Sequence, residues 1–139
     1  MKRAEHLVGA FGWAVQVYAD VDVIAELATD VAALKVPVVL DHFAGIKTHK
    51  QEDQKAAFAT VVELVKRGNA YVKLSAAYRA SRSAPGFDDV AEFAQTLIQA
   101  RSDRLVWASD WPHIQAARAT VAATSSKLSL SAKRMLDAH

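Results

Sequence analysis

Four short apolar runs rich in β-branched residues, each followed by a stretch of helical periodicity, predict an α/β fold with a parallel sheet. The runs are residues 14–18, 36–40, 71–75 and 105–109, and they end near Tyr18, Asp41, Ser75 and Ser109. Those ends lie 23, 34 and 34 residues apart. An eight-unit barrel of ~250 residues gives each strand–helix unit about 31 residues, so the 139 residues here hold about four and a half units. The chain therefore reads either as a compact four-stranded α/β domain or as a piece of a (β/α)8 barrel. The repeat is one of architecture, with no repeat of residue identity.

Each element has a local reason. Residues 3–10 read as the end of a helix and residues 13–18 as a strand. Lys2 and Arg3 precede an apolar stretch over residues 7–15, and Val17-Tyr18-Ala19 has the small-residue look of a cleavage site. Glu5, His6 and Gln16 interrupt that pattern, so helix-then-strand is the better reading than a secretory leader. Ile24, Leu27, Ala28, Val31 and Leu34 share one helical face, with Asp20 or Asp22 available as a cap. Pro37 belongs at the first residues of the second strand, where a missing N–H is tolerated. Phe58, Val61, Val62 and Val65 form the next stripe, and Gly68 after Lys66-Arg67 is a helix stop. Val90, Phe93, Ala94, Leu97 and Ile98 form a third, entered from Pro85-Gly86-Phe87-Asp88. Residues 115–137 suggest one or two weaker helices. Near-continuous apolar strands suit a sheet covered on both faces.

Composition removes several functions. Half the residues (52%) are hydrophobic and 23% charged, which is globular rather than disordered. Seventeen Lys and Arg against fifteen Asp and Glu leave +2, without a basic stripe, so a nucleic-acid partner is not expected. The absence of cysteine excludes disulfides, thiolate nucleophiles and Cys-ligated zinc. No apolar run approaches the ~18 residues of a membrane span. A cytoplasmic chain with no membrane partner is the expectation.

In parallel α/β folds ligands meet the carboxyl ends of the strands. The first strand carries Gln16 and Tyr18, and the second ends in Asp41-His42. The third ends in Ser75-Ala76-Ala77-Tyr78-Arg79, and the fourth in Ser109-Asp110-Trp111-Pro112-His113. His42 could take a proton, orient a water or hold a metal through a ring nitrogen. Asp110 could be a general base or a metal ligand, or simply an N-cap for the next helix. Arg79 offers a fork that pairs bidentately with a carboxylate, the alternative being a surface ion pair. Tyr78 could bond a substrate oxygen or only pack, and His113 could serve a ligand or only shape its turn. Lys73, alternating with Val72 and Leu74, needs a partner if its face is buried. Asp41 reads as a structural hydrogen bonder beside His42. His6, His49 and His139 read as solvated surface residues.

The sequence has no G-x-G-x-x-G, no P-loop, no G-x-S-x-G elbow and no His-x-His pair. What it does have resembles the amidohydrolase-related family. The resemblance is carried by Gly12-Trp13-Ala14-Val15-Gln16-Val17-Tyr18, Val39-Leu40-Asp41-His42-Phe43, Val72-Lys73-Leu74-Ser75-Ala76-Ala77-Tyr78-Arg79 and Leu105-Val106-Trp107-Ala108-Ser109-Asp110-Trp111-Pro112-His113. It covers about residues 3–115, within a single domain over 1–139 whose residues 116–139 form a divergent helical tail. The look is nearest the branch that includes 2-pyrone-4,6-dicarboxylate lactonase.

The resemblance implies the C-terminal half, about four βα units, of a (β/α)8 TIM barrel of the metal-dependent-hydrolase kind. It implies a hydrolase acting on a small carboxylated substrate. His42 matches a mid-barrel histidine and Asp110 the last-strand aspartate that activates water. Arg79, and with it Tyr78, match groups that receive a carboxylate. Zinc or a similar divalent ion serves many members, with His42 and Asp110 as its ligands here; the lactonase branch is thought to use none. The sequence departs from the family in lacking the first strand with its His-x-His pair. Ala14 stands where relatives often have histidine, and Ala108 where they usually have glycine. The chain is therefore expected to be a barrel fragment with weak or no catalysis of its own. Its exposed half-barrel edges are expected to pair in a homodimer. The competing readings are a non-catalytic barrel remnant and a complete small α/β domain binding a ligand.

Overall fold

The computed structural model describes residues 1–113. The helices expected over 115–137 and the tail over 116–139 lie outside the described residues. Met1–Ser109 form one compact unit, and a second begins at Asp110.

Within the first unit the chain runs α1 (Lys2–Gly9), β1 (Val15–Val17), α2 (Val21–Glu26), α3 (Ala28–Ala33), β2 (Val38–Leu40), α4 (Gln51–Arg67), β3 (Ala70–Leu74), α5 (Ala77–Ala80), α6 (Ala91–Arg101) and β4 (Leu105–Trp107). The strands form one parallel sheet in the order β1-β2-β3-β4. Val17 pairs with Leu40, Leu40 with Val72, and Val72 with Leu105, so the four carboxyl ends lie along one rim.

Helices cover one face of the sheet. Val38, Leu40, Ala70 and Val72 point into a core with Val21, Ile24, Val31, Val61, Val65 and Leu97, every one of them at most 1% exposed. Burying each Val or Leu stabilises by about 1.5–3 kcal/mol, so this core supplies most of the unit's cohesion. Phe58 and Phe93 lock α4 to α6 edge to face, with ring centroids 5.0 Å apart.

The opposite face carries Gln16, Val39, Asp41, Tyr71, Lys73 and Val106, the alternate residues of the same strands. Gln16 and Val106 are exposed there. The expectation of strands buried on both faces therefore fails for β1 and β4, whose residues are only partly buried or exposed. The reason is position: among the described residues these two are the sheet's edges.

Other expectations are adjusted locally. Each strand is shorter than its apolar run, except β3 at five residues. The stripe from Ile24 to Leu34 forms two helices kinked at Leu27, where ψ is 4°. The bonding still passes through the kink, with Leu27 N–H on Val23 and Val31 N–H on Leu27. Asp20 takes the N-cap position of α2 without a side-chain capping bond, and Asp22 instead accepts from Gln54 at 2.9 Å. Pro37 lies just before β2, and its carbonyl accepts from Val15 at 2.9 Å. Gly68 ends α4 at φ 102°, as its place after Lys66-Arg67 predicts. Ile98, placed on the apolar stripe by its spacing, is 49% exposed, while Phe93 and Leu97 of the same helix are buried.

Candidate active site at the carboxyl ends of the strands

The rim after β2 is unusual backbone. His42, Phe43, Ala44 and Gly45 all have positive φ, between 51° and 72°. Three of these are not glycine, and such residues avoid that region unless their surroundings hold them there. Gly45 is required by space as well. A Cβ there would sit 2.0 Å from the carbonyl oxygen of Ala19, in the loop after β1. This left-handed turn brings the His42 imidazole across to β3, where Nδ1 lies 2.8 Å from Ser75 Oγ. Ala76, also left-handed at φ 53°, starts α5 and so presents Tyr78 and Arg79.

Those side chains meet the end of β1. The rings of Tyr18 and His42 stand edge to face with centroids 5.1 Å apart. The guanidinium carbon of Arg79 is 5.8 Å from the Tyr18 ring centre and 5.4 Å from that of Tyr78. Arg79 Nη1 also donates to the Tyr18 hydroxyl at 3.5 Å. Lys47, in the loop after β2, donates from Nζ to the Arg79 carbonyl at 3.1 Å and puts a second cation on this rim.

On the face of the sheet opposite the helices, residues of three neighbouring strands share a polar cluster. Gln16 Nε2 donates to Asp41 Oδ2 at 2.6 Å. Lys73 Nζ stands 2.8 Å from Asp41 Oδ1, a close charge contact that is not aligned as a hydrogen bond. Lys73 thus has the partner its strand position demanded, and its charge is matched. Among the described residues, Arg79 and Lys47 also bring positive charge to the outer rim. Asp89 ties the surrounding loops together by accepting from the Ser81 hydroxyl and from the Arg82 N–H. The Ser81 hydroxyl bond is the main reason its carboxyl titrates below the ordinary aspartate range.

The structure brings together Gln16, Tyr18, His42, Tyr78 and Arg79 of the residues singled out from sequence. Asp110 and His113 belong to the second unit. There both have positive φ, 58° and 51°, and the His113 N–H bonds to the Asp110 carbonyl at 3.0 Å. Sequence reasoning gave Ser75 no role, although alternation from Lys73 puts it on the same face. It did not consider Lys47, a loop residue with no signal of its own. Among the described residues no three His, Cys, Asp or Glu side chains group where they could hold a metal ion. A zinc site draws three or four protein ligands. The described donors do not fit one.

A parallel sheet with helices on one face and polar side chains at the strand ends is the arrangement of a (β/α)8 barrel, here as four of its units. The chain belongs to the amidohydrolase family, which it matches over residues 6–125. It is 36% identical over 111 residues to a 4-sulfomuconolactone hydrolase of Hydrogenophaga intermedia, covering 80% of this chain and 36% of that one. It is 29% identical over 115 residues to a 2-pyrone-4,6-dicarboxylate hydrolase of Comamonas testosteroni, covering 76% and 37%. Among solved structures it is similar to an Acinetobacter baumannii protein described as a 2-pyrone-4,6-dicarboxylic acid hydrolase and holding citric acid. There the TM-score is 0.68 at 25% identity, over 82% of this chain and 43% of the other. The chain thus spans about a third of the length of the curated relatives it matches.

Proposed function

We propose that this chain contributes to the hydrolysis of a small lactone bearing a carboxylate or similar anionic group. Water adds to the ring carbonyl, and the ring C–O bond then breaks to release an acid and a hydroxyl. Arg79, flanked by Tyr78 and Tyr18, receives the anionic group. His42 donates to the oxyanion that develops at the carbonyl. Asp110, three residues beyond the end of β4 in the chain, takes the proton of the attacking water. Gln16 and His113 complete the set assigned to substrate. The observation that carries this reading is the cation-and-aromatic cluster of Arg79, Tyr18 and Tyr78 beside His42, in a chain whose relatives include proteins named as hydrolases of lactones.

Binding and turnover test it separately. 2-Pyrone-4,6-dicarboxylate should bind the 139-residue chain in a calorimetric titration. Arg79→Met should weaken that binding about 10- to 100-fold, the worth of a charge-assisted pair. No binding, or binding indifferent to Arg79, overturns the substrate class. Turnover, followed by loss of pyrone absorbance, should be slow, and Asp110→Asn should lower it about 100-fold or more. Turnover unchanged by that substitution overturns the role of Asp110.

A second reading is a non-catalytic barrel portion that associates with a second copy. It is favoured by the exposure of Trp13, Val106 and Trp107 along the two outer strands. It predicts self-association without any response to Arg79→Met.

A further inference from the structure

Ser75 lies just past β3 and is 4% exposed. Its hydroxyl is 2.8 Å from His42 Nδ1, a contact that joins two strands across 33 residues of chain. A serine hydroxyl has one proton to donate, and a neutral imidazole has one nitrogen that donates and one that accepts. Two arrangements fit the distance. If Nδ1 carries the ring proton and donates it to Oγ, the serine proton needs an acceptor of its own. If Ser75 donates to Nδ1, the ring proton sits on Nε2 and every donor in the contact is used.

The surroundings separate the two. Among the described residues, Nδ1 is the only hydrogen-bond partner of Ser75 Oγ. A buried hydroxyl that only accepts leaves its own proton unmatched, which buried polar groups avoid. We infer that Ser75 is a positioning residue: it donates to His42 Nδ1 and holds the imidazole as the Nε2–H tautomer. The left-handed backbone at residues 42–45 sets the ring in place, and the serine sets its chemistry.

The consequence bears on the division of labour. A ring with its proton on Nε2 gives a hydrogen bond from that atom and does not accept a proton there from water. His42 is then suited to stabilise an oxyanion and unsuited to be the base. That use rests on the lactone reading, but the tautomer does not, because it is measured without substrate.

The test is long-range 1H–15N correlation on the full chain with 15N-labelled histidine. It is run in chelator-treated buffer at a pH where the ring is neutral. His42 should show Nδ1 as the pyridine-type nitrogen, shifted upfield by the bond it accepts, and Nε2 as the protonated one. Ser75→Ala should move the Nδ1 resonance downfield, toward an unbonded nitrogen, and let the minor tautomer grow. Ser75→Thr keeps a hydroxyl and should restore the wild-type pattern. A protonated Nδ1 in the wild-type chain overturns the inference without recourse to any variant. So does a folded Ser75→Ala protein with an unchanged Nδ1 resonance. A wild-type chain that shows this tautomer but no lactone turnover would count against the lactone reading only.

Discussion

Lys73 places a charge within β3, and Asp41 lies beside it just past the end of β2, one step beyond the Leu40–Val72 pair. Their side chains are 20% and 9% exposed, so neither charge is fully hydrated. Removing one partner of such a pair strands the other. Lys73→Met should therefore destabilise by about 3 kcal/mol, read from the urea midpoint, and adding Asp41→Asn should recover part of the loss. A midpoint unchanged by Lys73→Met would show that solvent already carries the charge of Asp41. Asp89 makes a pH prediction at the same scale. Its carboxyl is held below the ordinary range, chiefly by Ser81 and also by Thr48 and the Arg82 N–H. The unfolded chain then binds more protons in acid, so this contribution is whole above the unfolded value of about 3.9 and fades as pH falls through the folded one. The stability gap between wild type and Asp89→Asn should shrink on acidification through that window. A gap constant with pH would remove the carboxylate from the account.

Elements explain why the rim is where it is. The strands are short, three to five residues, so the polar groups follow almost at once. The turn after β2 is the one whose geometry is hardest to reach from sequence. Four successive left-handed residues end in Gly45, packed against the Ala19 carbonyl. Gly45→Ala adds both backbone strain and a steric overlap with main chain, which cannot swing aside. It should cost about 3 kcal/mol or more, measured as the loss in urea midpoint. The imidazole signals of His42 should shift with it, since the same turn carries that ring. A substitution tolerated within about 0.5 kcal/mol, the usual range for surface changes, would mean that the loop after β1 gives way.

Within the Met1–Ser109 unit, several of the exposed large apolar side chains lie on or beside the two outer strands. Trp13 and Tyr18 flank β1 and are 64% and 59% exposed, while Val106 and Trp107 of β4 are 42% and 77% exposed. Strand edges that are unpaired among the described residues and carry apolar side chains favour pairing with another chain. Sedimentation velocity should show association that grows with concentration, and Val106→Lys, which puts a charge on the edge, should reduce it. A monomer at every concentration would remove the self-association reading and leave the ligand-binding one in place. Among the described residues no helix is long and apolar enough to cross a membrane.

Much of this molecule is legible in its sequence, and for a physical reason. A strand buried against helices must be apolar, and a helix on that sheet must repeat at 3.6 residues, so period and spacing report the four units directly. The family motifs fall at the strand ends for the same reason, which put His42, Tyr78 and Arg79 forward as candidates. Partner choice was not legible. Asp41 could have bonded His42 and instead takes Gln16 and Lys73, because parallel register sets β1 and β3 on either side of it. Ser75 gained its role only when a left-handed turn swung His42 across to it. Backbone sign and cross-strand register depend on contacts between residues tens of positions apart, and it was the tertiary structure that decided them.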